Sequence, residues 1–246
     1  MKSEDRLGTP RVRIAVLGNP NVGKSALTVR YLTRRFIGEY RSRTDLLYRQ
    51  TVTIVDPAGL HRSELALDVE IVDVSCSVPE DGFPFPADQV QWADACLVVY
   101  SITDAKSLQY AAHALTRLKE LQGAPSAALV ANKADLEHLR EVSENEGSTL
   151  AAQHGVPFCE VSVADNSPAL YRAFERVLLE SRGRPTKPRK FSVSKMLGTL
   201  IGATNPCNGL RNPVPSGGTV VPCSKAELHK SRVLKRRQNF TAAASL

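Results

Sequence analysis

Eight consecutive residues, Gly18-Asn19-Pro20-Asn21-Val22-Gly23-Lys24-Ser25, set two glycines, a lysine and a hydroxyl in the spacing Gly-x-x-x-x-Gly-Lys-[Ser/Thr]. The chemistry open to such a run is the cradling of a polyphosphate. Glycines let the backbone curl until successive N–H groups face phosphate oxygens. Lys24 would bridge the outer phosphates, the Ser25 hydroxyl would ligate Mg²⁺, and Ala26 closes the run. Pro20 removes one N–H and fixes φ, which stiffens the loop, while the donors from Asn21 to Ser25 remain. A loop of this kind needs a strand before it and a helix after it. The β-branched and aliphatic residues of Arg11 to Leu17 read as a buried strand, and Ser25 to Phe36 has the apolar spacing of a helix whose positive dipole end faces the anion.

A second motif says which base accompanies the phosphates. Apolar residues Ala127 to Val130 predict another buried strand, and it runs into Asn132-Lys133-Ala134-Asp135. A carboxylate fixed at that place accepts both guanine N1–H and the exocyclic N2–H₂, a donor pair that adenine lacks. Asp135 therefore argues for GTP and GDP over ATP. The Lys133 stem is expected along one face of the base, and Asn132 is expected to tie this loop to the phosphate loop.

Both motifs and their separation resemble the Ras-like small GTPases, over about residues 10 to 181. Phe36-Ile37-Gly38-Glu39-Tyr40 resembles the start of that family's first switch, in which the aromatic matching Phe36 packs beside the guanine. Ala93 to Asp104 resembles the fourth strand and the start of the third helix. Cys159 to Asp165 takes the place of the last base-contacting loop, with Ser162 and Val163 matching its Ser-Ala. The subgroup to which the chain is most similar is that of the divergent, non-prenylated members around the estrogen-regulated growth inhibitor.

The resemblance implies a P-loop NTPase fold of α/β class: a doubly wound, six-stranded, mostly parallel sheet with helices on both faces, followed by a disordered basic tail. An edge strand from about Tyr48 to Asp56 would pair antiparallel with Leu65 to Asp73. It also implies a GTP/GDP switch using Mg²⁺, with effector and regulatory proteins meeting the switch segments near residues 38–48 and 74–92. The competing reading is a binding module that holds guanine nucleotide without useful hydrolysis.

Departures from the family pattern bear on hydrolysis. Where relatives carry Asp-x-x-Gly-Gln, this chain has Asp73-Val74-Ser75-Cys76-Ser77. Asp73 still serves the metal, but Cys76 replaces the Gly whose amide senses the γ-phosphate, and Ser77 is too short to orient water as Gln does. Slow intrinsic hydrolysis is expected. Arg43 aligns with the metal-binding Thr of the first switch, and Thr44 follows it. A slip of one residue makes Thr44 a metal ligand and sets Arg41 three positions upstream, the Arg-x-x-Thr spacing of heterotrimeric G-protein α subunits. Arg41 would then stabilise transition-state charge in cis; as part of a run with Arg34, Arg35 and Arg43 it also reads as a solvated basic face.

The 246 residues allow one domain over 11–181 between a flexible N-terminus, 1–10, and a basic tail, 182–246. The net charge of +7 conceals a division. Arg182 onward holds 13 Lys/Arg and 1 acid, whereas residues 1–181 hold 19 Lys/Arg and 24 acids, so the basicity belongs to the tail. Five cysteines without a paired spacing read as free thiols of a reducing cytosol or nucleus, against a disulfide framework. No apolar run has the length of a signal peptide or a bilayer span. The expected location is cytoplasmic, or peripheral to a membrane, or nuclear.

In the tail, residues 204–224 are rich in Pro, Gly, Asn and Ser and read as disordered. Met196, Leu197, Leu200 and Ile201 would share one face of a short helix. The C-terminal sequence AASL has no prenylation cysteine and residue 2 is Lys, so no lipid anchor is expected. Three uses of the tail stay open: an anionic membrane surface, nuclear or nucleic-acid contact through Lys235-Arg236-Arg237, and a partner protein or solvent.

Overall fold

A computed structural model describes residues 9–37, 44–56, 63–75, 83–182 and 219–222. Strands β1 (Arg11–Leu17), β3 (Ser63–Asp73), β4 (Ala95–Ser101), β5 (Ser126–Asn132) and β6 (Phe158–Glu160) run parallel, and β2 (Leu46–Asp56) pairs antiparallel with β3 from Leu46↔Asp73 to Asp56↔Ser63. The order across the sheet is β6-β5-β4-β1-β3-β2-β7.

Burial on both faces explains why β4 and Ile14 to Leu17 of β1 read as apolar runs rather than alternating ones. Along β1 the two-residue period sends Ile14 and Val16 to one core and Ala15 and Leu17 to the other. Helices α1 (Lys24–Thr33) and α5 (Pro168–Arg182) cover the first face, where Tyr31 stacks on Phe174 with ring centroids 4.0 Å apart. Helices α2 (Ala87–Trp92), α3 (Ala105–Glu120) and α4 (Glu144–His154) cover the second. Among the described residues, no helix is long and apolar enough to cross a membrane.

Local chemistry fixes the helix ends. The Asp104 carboxylate caps α3 by accepting from the Lys106 and Ser107 N–H groups at 3.0 and 3.2 Å. Ser143 and Glu146 form a reciprocal capping box on α4, which Gly155 ends with φ 66°. In contrast, α1 begins at Lys24 with no side-chain cap.

Two expectations change. The first helix stops at Thr33 rather than Phe36, because Arg34 turns left-handed at φ 61° and donates its N–H back to the Arg30 carbonyl. The sheet keeps its six expected strands but gains a seventh from the tail: β7 (Thr219–Pro222) pairs antiparallel with β2, from Leu46↔Pro222 to Arg49↔Thr219. Four residues read as disordered are therefore strand, since an open edge supplies the ladder that their flanking glycines and proline conceal in the sequence. The predicted helix near 194–203 and the segment Lys235 to Arg237 lie outside the described residues.

Candidate nucleotide site

β1 lies between β3 and β4, so the chain leaves it to one side and later returns to the other. The carboxyl end of such a strand opens a crevice, the usual ligand position in doubly wound sheets. Gly18 to Ser25 occupy it. Gly18 has φ 153° and Gly23 φ 96°, and a Cβ on either would meet the Val99 carbonyl oxygen or Asn132 Nδ2 at 2.3 Å. Both positions therefore require glycine on steric grounds. Because the first turn of α1 carries no side-chain cap and no acid, its N–H groups and dipole stay available to an anion.

Lys24 is buried to 8% exposure, and its ammonium donates to the carbonyls of Gly18 and Asn19, both at 2.8 Å. That holds the side chain across the loop. The Ser25 hydroxyl donates to Asp73 Oδ2 at the end of β3. Burial raises the Asp73 pKa to about 6, against the opposing pull of the Ser25 hydrogen bond and the Lys24 charge, with Asp45 adding to the rise. Ser25, Asp73 and Thr44 all line one cavity of about 410 Å³. A hydroxyl and a poorly solvated carboxylate in contact, with a second hydroxyl on the same wall, form an all-oxygen set that fits a hard cation such as Mg²⁺.

The base side is built around Asn132, which is 3% exposed. Its amide nitrogen donates to the Val22 carbonyl at 2.8 Å, and its carbonyl oxygen accepts from the Val163 N–H at 3.3 Å. One side chain thus joins the phosphate loop to both loops expected to read the base. Lys133 turns left-handed at φ 68° and opens a 3₁₀ turn, Ala134–Leu139. Ser162 donates to Asp135 Oδ1 at 2.8 Å and accepts from the Asp165 N–H at 3.0 Å, which orients the Asp135 carboxylate. Phe36, Lys133, Asp135 and Val163 line the same cavity as Lys24. Gly23, Pro20, Asn21 and Ala26 line it as well.

Arg41, Cys76 and Ser77 lie outside the described residues. Three features escaped the sequence reading. Leu136 and Ala164 complete the apolar wall. Arg140 brackets the base loops by donating to Glu137 Oε2 at 2.7 Å and to Glu160 Oε1 and Oε2 at 2.8 and 2.9 Å. Asp45 gathers hydrogen bonds from Ser75 and Gln89. No spacing rule marks the bonds of Asp45 or the Arg140–Glu160 pair, whose partners stand 20 or more residues apart.

Comparison with known proteins agrees with this architecture. The profile of the Ras family matches residues 13–182. The chain is 34% identical over 199 residues to the Ras-related and estrogen-regulated growth inhibitor-like protein of Bos taurus, covering 77% of this chain and 93% of that protein. It is 37% identical over 166 residues to Ras-like protein family member 11B of Xenopus laevis, covering 67% of this chain and 65% of the relative, and 36% identical over 169 residues to the Homo sapiens protein of that name, covering 68% and 66%. The chain thus spans about two thirds of the length of the 11B proteins. A family match running from β1 to the end of α5, with curated relatives above 30% identity across the same domain, places this protein in the Ras family of small GTP-binding switch proteins.

Proposed function

We propose that this chain binds GTP and GDP with Mg²⁺ in the cavity between the Gly18–Ser25 loop and Asp135, and that it hydrolyses GTP slowly. The observation that carries the reading is the Asn132 side chain, which joins the phosphate loop to both candidate base loops around one cavity. In this reading the loop N–H groups and Lys24 neutralise the phosphates, and Asp135 accepts from the guanine edge with Ser162 holding it in place. Phe36 and the Lys133 stem flank the ring.

Ser25, Thr44 and Asp73 would hold Mg²⁺, which when bound supplies charge stabilisation to the phosphates. Lys24 holds positive charge where negative charge develops on the transferring group. Position 77, which the Ras-like pattern matches to its Gln, carries Ser, and position 76, matched to its Gly, carries Cys. Neither replacement supports the positioning of an attacking water, so the single-turnover rate is expected below the order of 10⁻⁴ s⁻¹. Arg41 is the residue that could raise it in cis. A switch of this kind meets effectors and regulators through the segments that the γ-phosphate orders. The basic tail adds charge-driven contact with anionic surfaces that salt weakens.

Extraction and chromatography of co-purifying nucleotide, followed by single-turnover hydrolysis of radiolabelled GTP, tests the proposal. Co-purified GDP or GTP with slow turnover is expected. Co-purified guanine nucleotide with no turnover leaves a binding module, and neither guanine form bound at micromolar concentration with Mg²⁺ overturns the reading.

A further inference from the structure

Asp45 makes no expected contact with phosphate or base, yet its carboxylate gathers three hydrogen bonds from two distant parts of the chain. Oδ1 accepts from the Ser75 backbone N–H at 2.8 Å and from the Ser75 hydroxyl at 3.1 Å, and Oδ2 accepts from Gln89 Nε2 at 2.6 Å. Asp45 follows Thr44 on the cavity wall and immediately precedes β2. Ser75 lies two residues beyond Asp73 and lines the same cavity, and Gln89 lies within α2. The β2–β3 ladder ends at Leu46↔Asp73, so these bonds continue the connection past the last strand pair, at the point where both chains turn toward the site. All three are partly buried and end on a charged acceptor, the arrangement in which a hydrogen bond is strongest.

We propose that Asp45 is a positioning residue that couples the two switch segments. Its carboxylate ties the approach to β2, carrying Thr44, to the exit from β3 and to α2. A displacement of Thr44 imposed by nucleotide or metal is then passed to Ser75 and Gln89. By linkage, a partner that moves α2 changes nucleotide affinity by the factor with which nucleotide changes that partner's affinity. This rests on the guanine-nucleotide reading and names a regulation of that site.

The test uses the full chain and the release of fluorescent GDP in excess Mg²⁺ and in excess EDTA. Asp45→Ala is expected to speed release about tenfold in Mg²⁺ and to leave release in EDTA within about twofold of the parent, because Lys24, Asn132 and Asp135 are untouched. Gln89→Glu, which sets two carboxylates against each other, is expected to match it. In the double variant Asp45→Asn/Gln89→Glu the amide donates to the new carboxylate, and release returns to within about threefold of the parent. A merely structural role would accelerate both conditions and show no rescue, and either result overturns the coupling, as does an Asp45→Ala variant with unchanged release. Should the parent chain retain no GDP at all, the nucleotide reading fails separately. Hydrogen exchange then decides the clamp: the Ser75 amide should exchange at least about tenfold faster in Asp45→Ala, and equal rates overturn it.

Discussion

Replacing Asn132 with Ala removes the side chain that joins three loops, and the structure sets the size of the effect. The Val22 carbonyl loses a 2.8 Å donor and the Val163 N–H loses a 3.3 Å acceptor, and both residues are buried. Each buried polar group left without a partner costs about 1–3 kcal/mol, with the longer bond toward the lower end. The sum is about 2–4 kcal/mol. Where that falls on the nucleotide-bound arrangement, GDP affinity drops about 30- to 700-fold, at tenfold per 1.4 kcal/mol. Asn132→Asp keeps the acceptor for Val163 but turns a carboxylate oxygen toward the Val22 carbonyl, so it should do no better than Ala. Titration of each full-length variant with fluorescent GDP in Mg²⁺ measures the loss. Affinity within threefold of the parent for both would refute the claim that this side chain holds the site together.

Three other outcomes follow from residues elsewhere. Phe174→Ala empties a fully buried ring site stacked on Tyr31 and should lower stability by about 3–5 kcal/mol, or about 8–15 °C in melting temperature; a shift under 3 °C would mean that the two aromatics do not anchor α1 to α5. Burial pushes the Cys159 thiol up to about 11 from 9.0, so at pH 8 its thiolate fraction falls about a hundredfold below that of an unperturbed thiol. Peptide mapping after brief iodoacetamide treatment should find Cys159, a partly buried thiol, unmodified, and rapid alkylation would contradict its raised pKa. Asp73 has a folded pKa of about 6 against 3.8, so without metal or nucleotide the folded state binds the proton more tightly. Its contribution is present below pH 3.8 and is lost as pH rises through 6. Denaturant unfolding of metal-free protein should therefore show Asp73→Asn gaining on the parent by about 2–3 kcal/mol between pH 4 and pH 7, and a pH-independent difference would sink the assignment.

Much of the site could be read from the chain because its chemistry demands particular residue types at particular spacings. Gly18 and Gly23 have no substitutes where an added Cβ would meet Val99 or Asn132 at 2.3 Å, and the two-faced burial of β4 and of Ile14 to Leu17 in β1 leaves a run of apolar residues. The Asp45–Ser75–Gln89 cluster and the Arg140–Glu160 pair were illegible. Their partners stand 30, 44 and 20 residues apart, and which side chains meet depends on strand register and helix placement rather than on local pattern. The end of α1 was misplaced for a local reason: Arg34, a good helix former by type, takes the left-handed turn that brings Phe36 to the cavity. Composition alone also concealed β7, since a run of three β-branched residues between two glycines and a proline shows no period.

That last strand ties the behaviour of the far carboxyl region to the domain. Backbone groups of residues 219–222 that are engaged with Leu46–Arg49 cannot serve another sheet or an extended-peptide receptor at the same moment. Any ligand seizing this stretch in extended form must first peel it away, leaving the rim beside Asp45 bare, and any protein adding its own strand to that rim must evict the chain's own.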